Sequence, residues 1–199
     1  MGNCIKSIEG DKRTMISSDV EAESIQKALK RCKELKINFL ALDFDQTILQ
    51  IHTGGNWKGT AEELLTNVRP IFRDLIPAAL DEGMHVAVVT FSTQLDKIRY
   101  ILDELTNNRA GDIPIRGGFA GRTFDHDGKG STEGKQAHMA SAAEELEARN
   151  SGLKITRETT LLVDDDTKNI RFALQNGVRA IWLNPQNATD LLEDMKNLV

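Results

Sequence analysis

Asp43 and Asp45, one residue apart, close the apolar run Asn38-Phe39-Leu40-Ala41-Leu42 and lead into Gln46-Thr47. The run has the length and apolar character of a fully buried parallel strand. Both carboxylates are then expected at its carboxyl end, where open α/β sheets bind ligands. Alternation along a strand would point Asp43 and Asp45 to the same side and Phe44 away. Two carboxylates held about 4 Å apart repel by ~4 kcal/mol at an effective dielectric of about 20. A cation or a shared proton is therefore implied. The plain alternative is a strand end followed by a turn, a common use of Asp.

Three further pieces follow in order. His85-Val86-Ala87-Val88-Val89-Thr90 is a second β-branched run ending in a hydroxyl that can donate to a phosphate oxygen or cap a helix. Thr93, with Asp96 three residues on, is the better cap and leaves Thr90 free. Ser131-Thr132-Glu133-Gly134-Lys135-Gln136 places Lys135 in the opening turn of a helix that runs to about Arg149. A cation there opposes the macrodipole and asks for an anion nearby, unless it is simply solvated. Thr160-Leu161-Leu162-Val163 discharges into Asp164-Asp165-Asp166, with Thr167-Lys168-Asn169 opening a helix. A cap needs one acid, so the surplus points to metal.

With these four pieces in this order, the chain resembles the haloacid dehalogenase-like (HAD) superfamily of aspartate-nucleophile phosphotransferases, over roughly Phe39 to Leu183. The resemblance implies that Asp43 is the nucleophile that forms an aspartyl-phosphate and that Asp45 is the general acid and then base. It implies that Thr90 and Lys135 hold the phosphate, with Lys129 as a competitor for the lysine's place. It implies Mg²⁺ held by Asp43, Asp165 and the backbone carbonyl of Asp45, supported by Thr47, Asp164 and Asn169. An acid at position 45 implies phosphoryl transfer rather than dehalogenation. The function so implied is a Mg-dependent phosphatase; the alternatives are a non-catalytic phosphate-binding scaffold at a membrane, or a phosphotransferase or mutase.

The expected fold is α/β: a single doubly wound, Rossmann-like domain over 18–199, with a mostly parallel five-stranded sheet and no large cap domain. Residues 18–36 are expected as a helix packed on it, opened by a Ser18/Glu21 capping box, with 1–17 as a flexible segment. Residues 50–57 read as a short flap with Trp57 as lid or packing residue. Thr60 and Glu63 cap a helix that Pro70 breaks or kinks. A helix is expected over 94–107, a short strand over 113–115 that extends toward Phe119, and a Gly-rich stretch to Gly130. Then come a helix ended by Gly177, a strand over 178–183 and a last helix from Ala188 capped by Asn187. Gln46 to Thr60 and Ala120 to Ser131 leave no room for an inserted domain. An open site of this kind, by its resemblance to cap-less members, implies a bulky phosphorylated substrate such as a phosphoprotein or a polynucleotide end.

The 199 residues, 40% hydrophobic and 28% charged, suffice for one domain with a real core. A net charge of −5 argues against an extended nucleic-acid face. Cys4 and Cys32 give no disulfide framework. With no spanning stretch and no secretory h-region, the expected location is cytoplasmic. The start, Met1-Gly2-Asn3-Cys4-Ile5-Lys6-Ser7, resembles an N-myristoylation signal with a palmitoylatable Cys4 beside it. Lys6 stands where that signal has Ser or Thr. Acyl chains on Gly2 and Cys4 together would attach the protein to membranes; a myristoyl chain alone binds marginally. Asp125, Asp127 and Lys129 do not complete a calcium loop, and His52, His85, His126 and His138 show no ligand spacing.

Overall fold

The computed structural model describes residues 5–118 and 133–199. Gly2, Cys4, Phe119, the Gly-rich stretch to Gly130, and Lys129 lie outside the described residues. Five strands form one all-parallel sheet: β1 (Phe39–Leu42), β2 (His85–Val89), β3 (Ile115–Arg116), β4 (Thr160–Asp164) and β5 (Arg179–Trp182), in spatial order β3-β2-β1-β4-β5. The central strand β1 pairs Leu42 with Val88 on one side and Val163 on the other. The chain proceeds from β1 to β2 and β3 on one side, then returns to β4 and β5 on the other. Strand order therefore reverses at β1, which opens a crevice at its carboxyl end.

All of β1 is buried, because both faces of the sheet are covered. Leu40, Leu42, Val88 and Val163 face a core built with helices α1 (Ile5–Glu34), α3 (Pro70–Asp81), α4 (Leu95–Thr106) and α7 (Leu191–Lys196). Phe39, Ala41, Val89 and Leu162 face the opposite core, with Met139 and Ala142 of α5 (Gln136–Arg149) and Ala173 of α6 (Thr167–Gln175). Period-two alternation thus serves two cores, and at ~25 cal/mol per Å² of apolar area their burial is the main favourable term.

Several boundaries differ from expectation. Helix α1 is continuous from Ile5, so Ser18 and Glu21 lie inside it and are not its cap; no proline interrupts that stretch. Its final turns bury the expected stripe Ile25, Ala28, Leu29 and Cys32. The helix expected to begin at Thr60 is broken, not kinked. Helix α2 (Ala61–Leu65) starts on a reciprocal Thr60/Glu63 capping box, and α3 restarts with Pro70 in its first turn, where a missing N–H costs nothing. Helix α4 is preceded by Gln94 and receives no side-chain cap from Thr93, because the side chains around its start are engaged with the flap. Strand β3 is Ile115–Arg116, which starts later than the expected Ile113 and lies within the stretch expected to extend toward Phe119. A 3₁₀ turn, Ala188–Asp190, precedes α7, and Asn187 gives it no side-chain cap. Residues 49–60 form no inserted domain, and no large cap covers the crevice among the described residues.

Candidate active site

The ladder continues one residue past β1, where Asp43 N–H donates to Val163 O at 3.0 Å. The chain then leaves the sheet in a single wide turn, Phe44–Ile48, closed by Leu49 N–H to Phe44 O at 2.9 Å. Inside it Gln46 takes φ of 58°, a left-handed conformation that costs a non-glycine residue and persists only where neighbours enforce it. Arg69 is the enforcer: its guanidinium donates at 3.0 Å to Thr47 O, to Gln46 O and to Pro185 O. Asp45 is consequently not on the strand, and alternation does not set its direction.

Asp43 meets Lys135 head on, with Nζ to Oδ1 at 2.9 Å and the two side chains only 1% and 8% exposed. Lys135 lies just before α5, where it opposes the helix dipole and finds the expected anion. Its ammonium also sits 4.0 Å from the centre of the Phe91 ring, a cation–π contact. Asp164, ending β4, and Asp165, just beyond it, bring carboxylate oxygens within 4.8 Å of Asp43 and of one another. Asp164 thus stands in the cluster itself and not beside it. Asn169 Nδ2 donates to both of its oxygens at 3.0 Å, and Asp166 N–H adds a bond at 2.9 Å. Asp166 itself caps α6 through Lys168 N–H, so one acid of the three serves the cap. Thr47 ties the two strand ends together: its Oγ1 accepts Asp165 N–H at 3.1 Å and donates to Asp165 Oδ1 at 3.4 Å.

The electrostatics of this cluster are lopsided. Burial pushes the Asp43 carboxyl above its usual range, against the pull of Lys135. Burial, and then the charge of Asp43, raise Asp164 to about 8 and Asp165 to about 6. Among the described residues, three carboxylates face the buried Lys135 ammonium, and only Asp165 also feels the Arg69 guanidinium, so negative charge exceeds positive. An oxygen-only donor set of this size suits a hard divalent cation such as Mg²⁺. Asp43, Asp164 and Asp165 are the side chains that would hold it.

Asp45 lines the same cleft but is held by other partners. Its oxygens accept Thr53 Oγ1–H, at 2.8 Å from either, and Thr53 N–H at 3.2 Å; His52 Nδ1 lies 3.1 Å from Oδ2. All of these donors come from the flap. Thr90 is buried after β2, and its Oγ1 accepts Ser92 N–H at 3.1 Å, which leaves its proton free to turn toward a ligand. A cleft of about 780 Å³ runs along these groups, lined by Asp43, Asp45, Thr90, Lys135, Asp164 and Asp165. Trp182 and His52 stand on its rim, and the Trp182 Nε1–H donates to Asp165 O at 2.6 Å. Trp57 packs half-buried on the core and its indole N–H donates to Thr60 O at 3.1 Å, a packing role.

Residue type alone does not mark Arg69, Thr53 or Gln94. Arg69 did carry one faint signal, a cation inside the apolar stretch Val68-Arg69-Pro70-Ile71-Phe72. Among the described residues no helix is long and apolar enough to cross a membrane.

No protein-family model matches the chain, and no curated protein matches it. Solved structures with a similar fold include an uncharacterized protein from Corynebacterium glutamicum, 16% identical with a TM-score of 0.44, covering 82% of this chain and 97% of that one. They also include the HAD domain of the effector protein Lem4 from Legionella pneumophila. An inactive mutant of that domain is 16% identical with a TM-score of 0.43, covering 79% of this chain and 92% of that one. A second structure of the same domain gives 16%, 0.42, 79% and 93%.

Proposed function

We propose that the protein is a Mg²⁺-dependent phosphatase of the HAD-like type, hydrolysing phosphoric monoesters through an aspartyl-phosphate on Asp43. The observation that carries this is the buried Asp43–Lys135 contact at 2.9 Å beside Asp164 and Asp165, at the crevice where strand order reverses. A carboxylate so placed is a nucleophile with an anion-binding cation at its side. Bound Mg²⁺ would offset the repulsion between a carboxylate and an incoming phosphate.

In the first half-reaction an Asp43 oxygen forms a bond to phosphorus while the ester P–O bond breaks, and Asp45 gives its proton to the departing oxygen. In the second, Asp45 takes a proton from water as the water oxygen bonds to phosphorus, and the bond to Asp43 breaks to release inorganic phosphate. Lys135 and the Thr90 hydroxyl hold the non-bridging oxygens. An open cleft, with no large cap among the described residues, supports a bulky phosphorylated substrate, such as a phosphoprotein, over an enclosed small one. Acyl attachment through Gly2 and Cys4 is a separate proposal from sequence, checked by metabolic labelling with a myristate analogue.

The test is hydrolysis of p-nitrophenyl phosphate by wild type, Asp43→Asn and Asp45→Asn, with Mg²⁺ and with chelator. Turnover that needs Mg²⁺ and disappears in Asp43→Asn is the expected outcome. Mg²⁺-independent turnover that survives Asp43→Asn would sink the proposal.

A further inference from the structure

The bonds that hold Asp45 belong to a chain that begins well away from the nucleophile. Trp57 N–H donates to Gln94 Oε1, which identifies the other end of that amide, Nε2, as the donor. Nε2 donates to Thr53 Oγ1 at 3.0 Å and to Ser92 Oγ at 3.1 Å. Gly55 N–H also donates to Thr53 Oγ1, at 3.1 Å. A hydroxyl has two lone pairs and one proton. With both lone pairs engaged, the acceptors left for the Thr53 proton among the described residues are the Asp45 oxygens, at 2.8 Å.

The network also ties flap to sheet. Gln94 grips Thr53 and Trp57 of the flap and Ser92 after β2, and Thr93 Oγ1 donates to Gly55 O at 3.5 Å. A side chain added at Gly55 would meet Ser92 Cα at 3.5 Å, so the two loops already touch. Asp45 needs such support because it lies past the end of β1, on a turn that leaves its carboxylate 12% exposed beside an open cleft.

We propose that Gln94 and Thr53 are positioning residues for Asp45, Gln94 latching the flap and Thr53 aiming the carboxylate at the leaving oxygen. This role rests on the phosphatase activity proposed above and specifies how that site controls its proton donor. A displacement of about 1 Å in a catalytic group can cost ~10²-fold, so a latch remote from phosphorus carries kinetic weight.

The signature lies in the leaving group. A phenol departs poorly without a proton, whereas p-nitrophenolate departs without much help, so a misaimed acid penalises the first ester selectively. Thr53→Val is expected to lower kcat on phenyl phosphate by ~30-fold and on p-nitrophenyl phosphate by under ~3-fold. Thr53→Ser restores both, and Gln94→Leu shows the same bias more weakly. Equal losses on the two esters would overturn the proposal. Amide hydrogen exchange gives a readout independent of turnover. In Gln94→Leu, exchange at Thr53, Gly55 and Trp57 rises at least ~10-fold while Asp43 and Leu49 are unchanged. Unchanged flap exchange would overturn the latch whatever the activity. A folded wild type that hydrolyses neither ester with Mg²⁺ would overturn the activity, and the exchange result would still decide the latch.

Discussion

The two carboxylates that flank Phe44 are held in opposite ways. Asp43 is fixed by the sheet: its N–H extends the β1 ladder and its side chain is buried against Lys135 among two other acids. Asp45 is fixed by loops, through neutral donors of the flap and a partly exposed histidine. The first region is buried and crowded with like charge; the second is held by hydrogen bonds from loops beside the open cleft. On the mechanism proposed above, the group that attacks phosphorus along one line gains from a strand end, whereas the group that alternately gives and takes a proton gains from hydroxyl and amide partners.

The sharpest way to break the contrast is to remove the cation from the buried region. Lys135→Met leaves Asp43 buried beside two acids, and breaking a buried pair costs about 3 kcal/mol or more. Turnover falls by ~10²–10³-fold, the usual cost of losing one charge-stabilising donor. Thermal unfolding and initial rates on p-nitrophenyl phosphate measure both. A variant that stays within ~0.5 kcal/mol of wild type would show that the pair is not mutually dependent.

The same region dictates how the protein responds to pH. Unfolded aspartates titrate near pH 4, whereas burial lifts Asp165 to about 6 and Asp164 to about 8 in the fold. The folded state then holds protons that the unfolded state has released. Metal-free stability is therefore greatest below about pH 4 for these two groups and is lost as pH rises through about 6 and about 8. Between pH 5 and pH 8 the metal-free melting temperature falls by at least ~4 °C, since a kcal/mol is worth about 2–4 °C in a chain of this size. Added Mg²⁺ requires ionised ligands, so it raises the melting temperature more at pH 8 than at pH 5. A flat metal-free profile would mean that the carboxylates already carry compensating charge.

Arg69 tests the boundary between the regions, because it pins the turn that runs from Asp43 to Asp45. Replacing it by Met strands the carbonyls of Gln46, Thr47 and Pro185, and unsatisfied buried groups cost about 1–3 kcal/mol. Chemical denaturation should show a loss of ~2 kcal/mol, with turnover reduced because Gln46 is freed to leave its left-handed conformation.

The contrast also explains what could be read from sequence. Strands β1, β2 and β4 announce themselves as apolar runs because both faces of each are buried, and the polar residues at their ends, Asp43, Thr90 and Asp164, follow at once. Asp164 joined the cluster because β4 lies next to β1 with Val163 opposite Leu42, a pairing that spacing alone does not reveal. Alternation does not reach Asp45, because the strand stops at Leu42 and the turn after it sets the direction of that side chain. Gln94 and Arg69 have partners brought to them by the tertiary fold: Thr53 is 41 positions from Gln94, and Pro185 is 116 from Arg69. The start of α1 was missed for the reverse reason, since no breaker marks any boundary near Ser18.

The finest distinction lies within the second region, between the two flap residues that touch Asp45. His52 Nδ1 approaches Oδ2 at 3.1 Å, as near as Thr53 N at 3.2 Å, yet the His52 side chain is 64% exposed. An exposed pair is screened by water and salt and must hold a mobile side chain in one geometry, so it contributes about 0–1 kcal/mol. Thr53 is braced by Gln94 and Gly55, which make the direction of its proton a property of the fold. His52→Gln should therefore change kcat on phenyl phosphate by less than ~3-fold and stability by less than ~0.5 kcal/mol, while Thr53→Val shows the large, leaving-group-dependent loss. A loss in His52→Gln as large as that in Thr53→Val would shift control of the acid from the braced hydroxyl to the exposed ring.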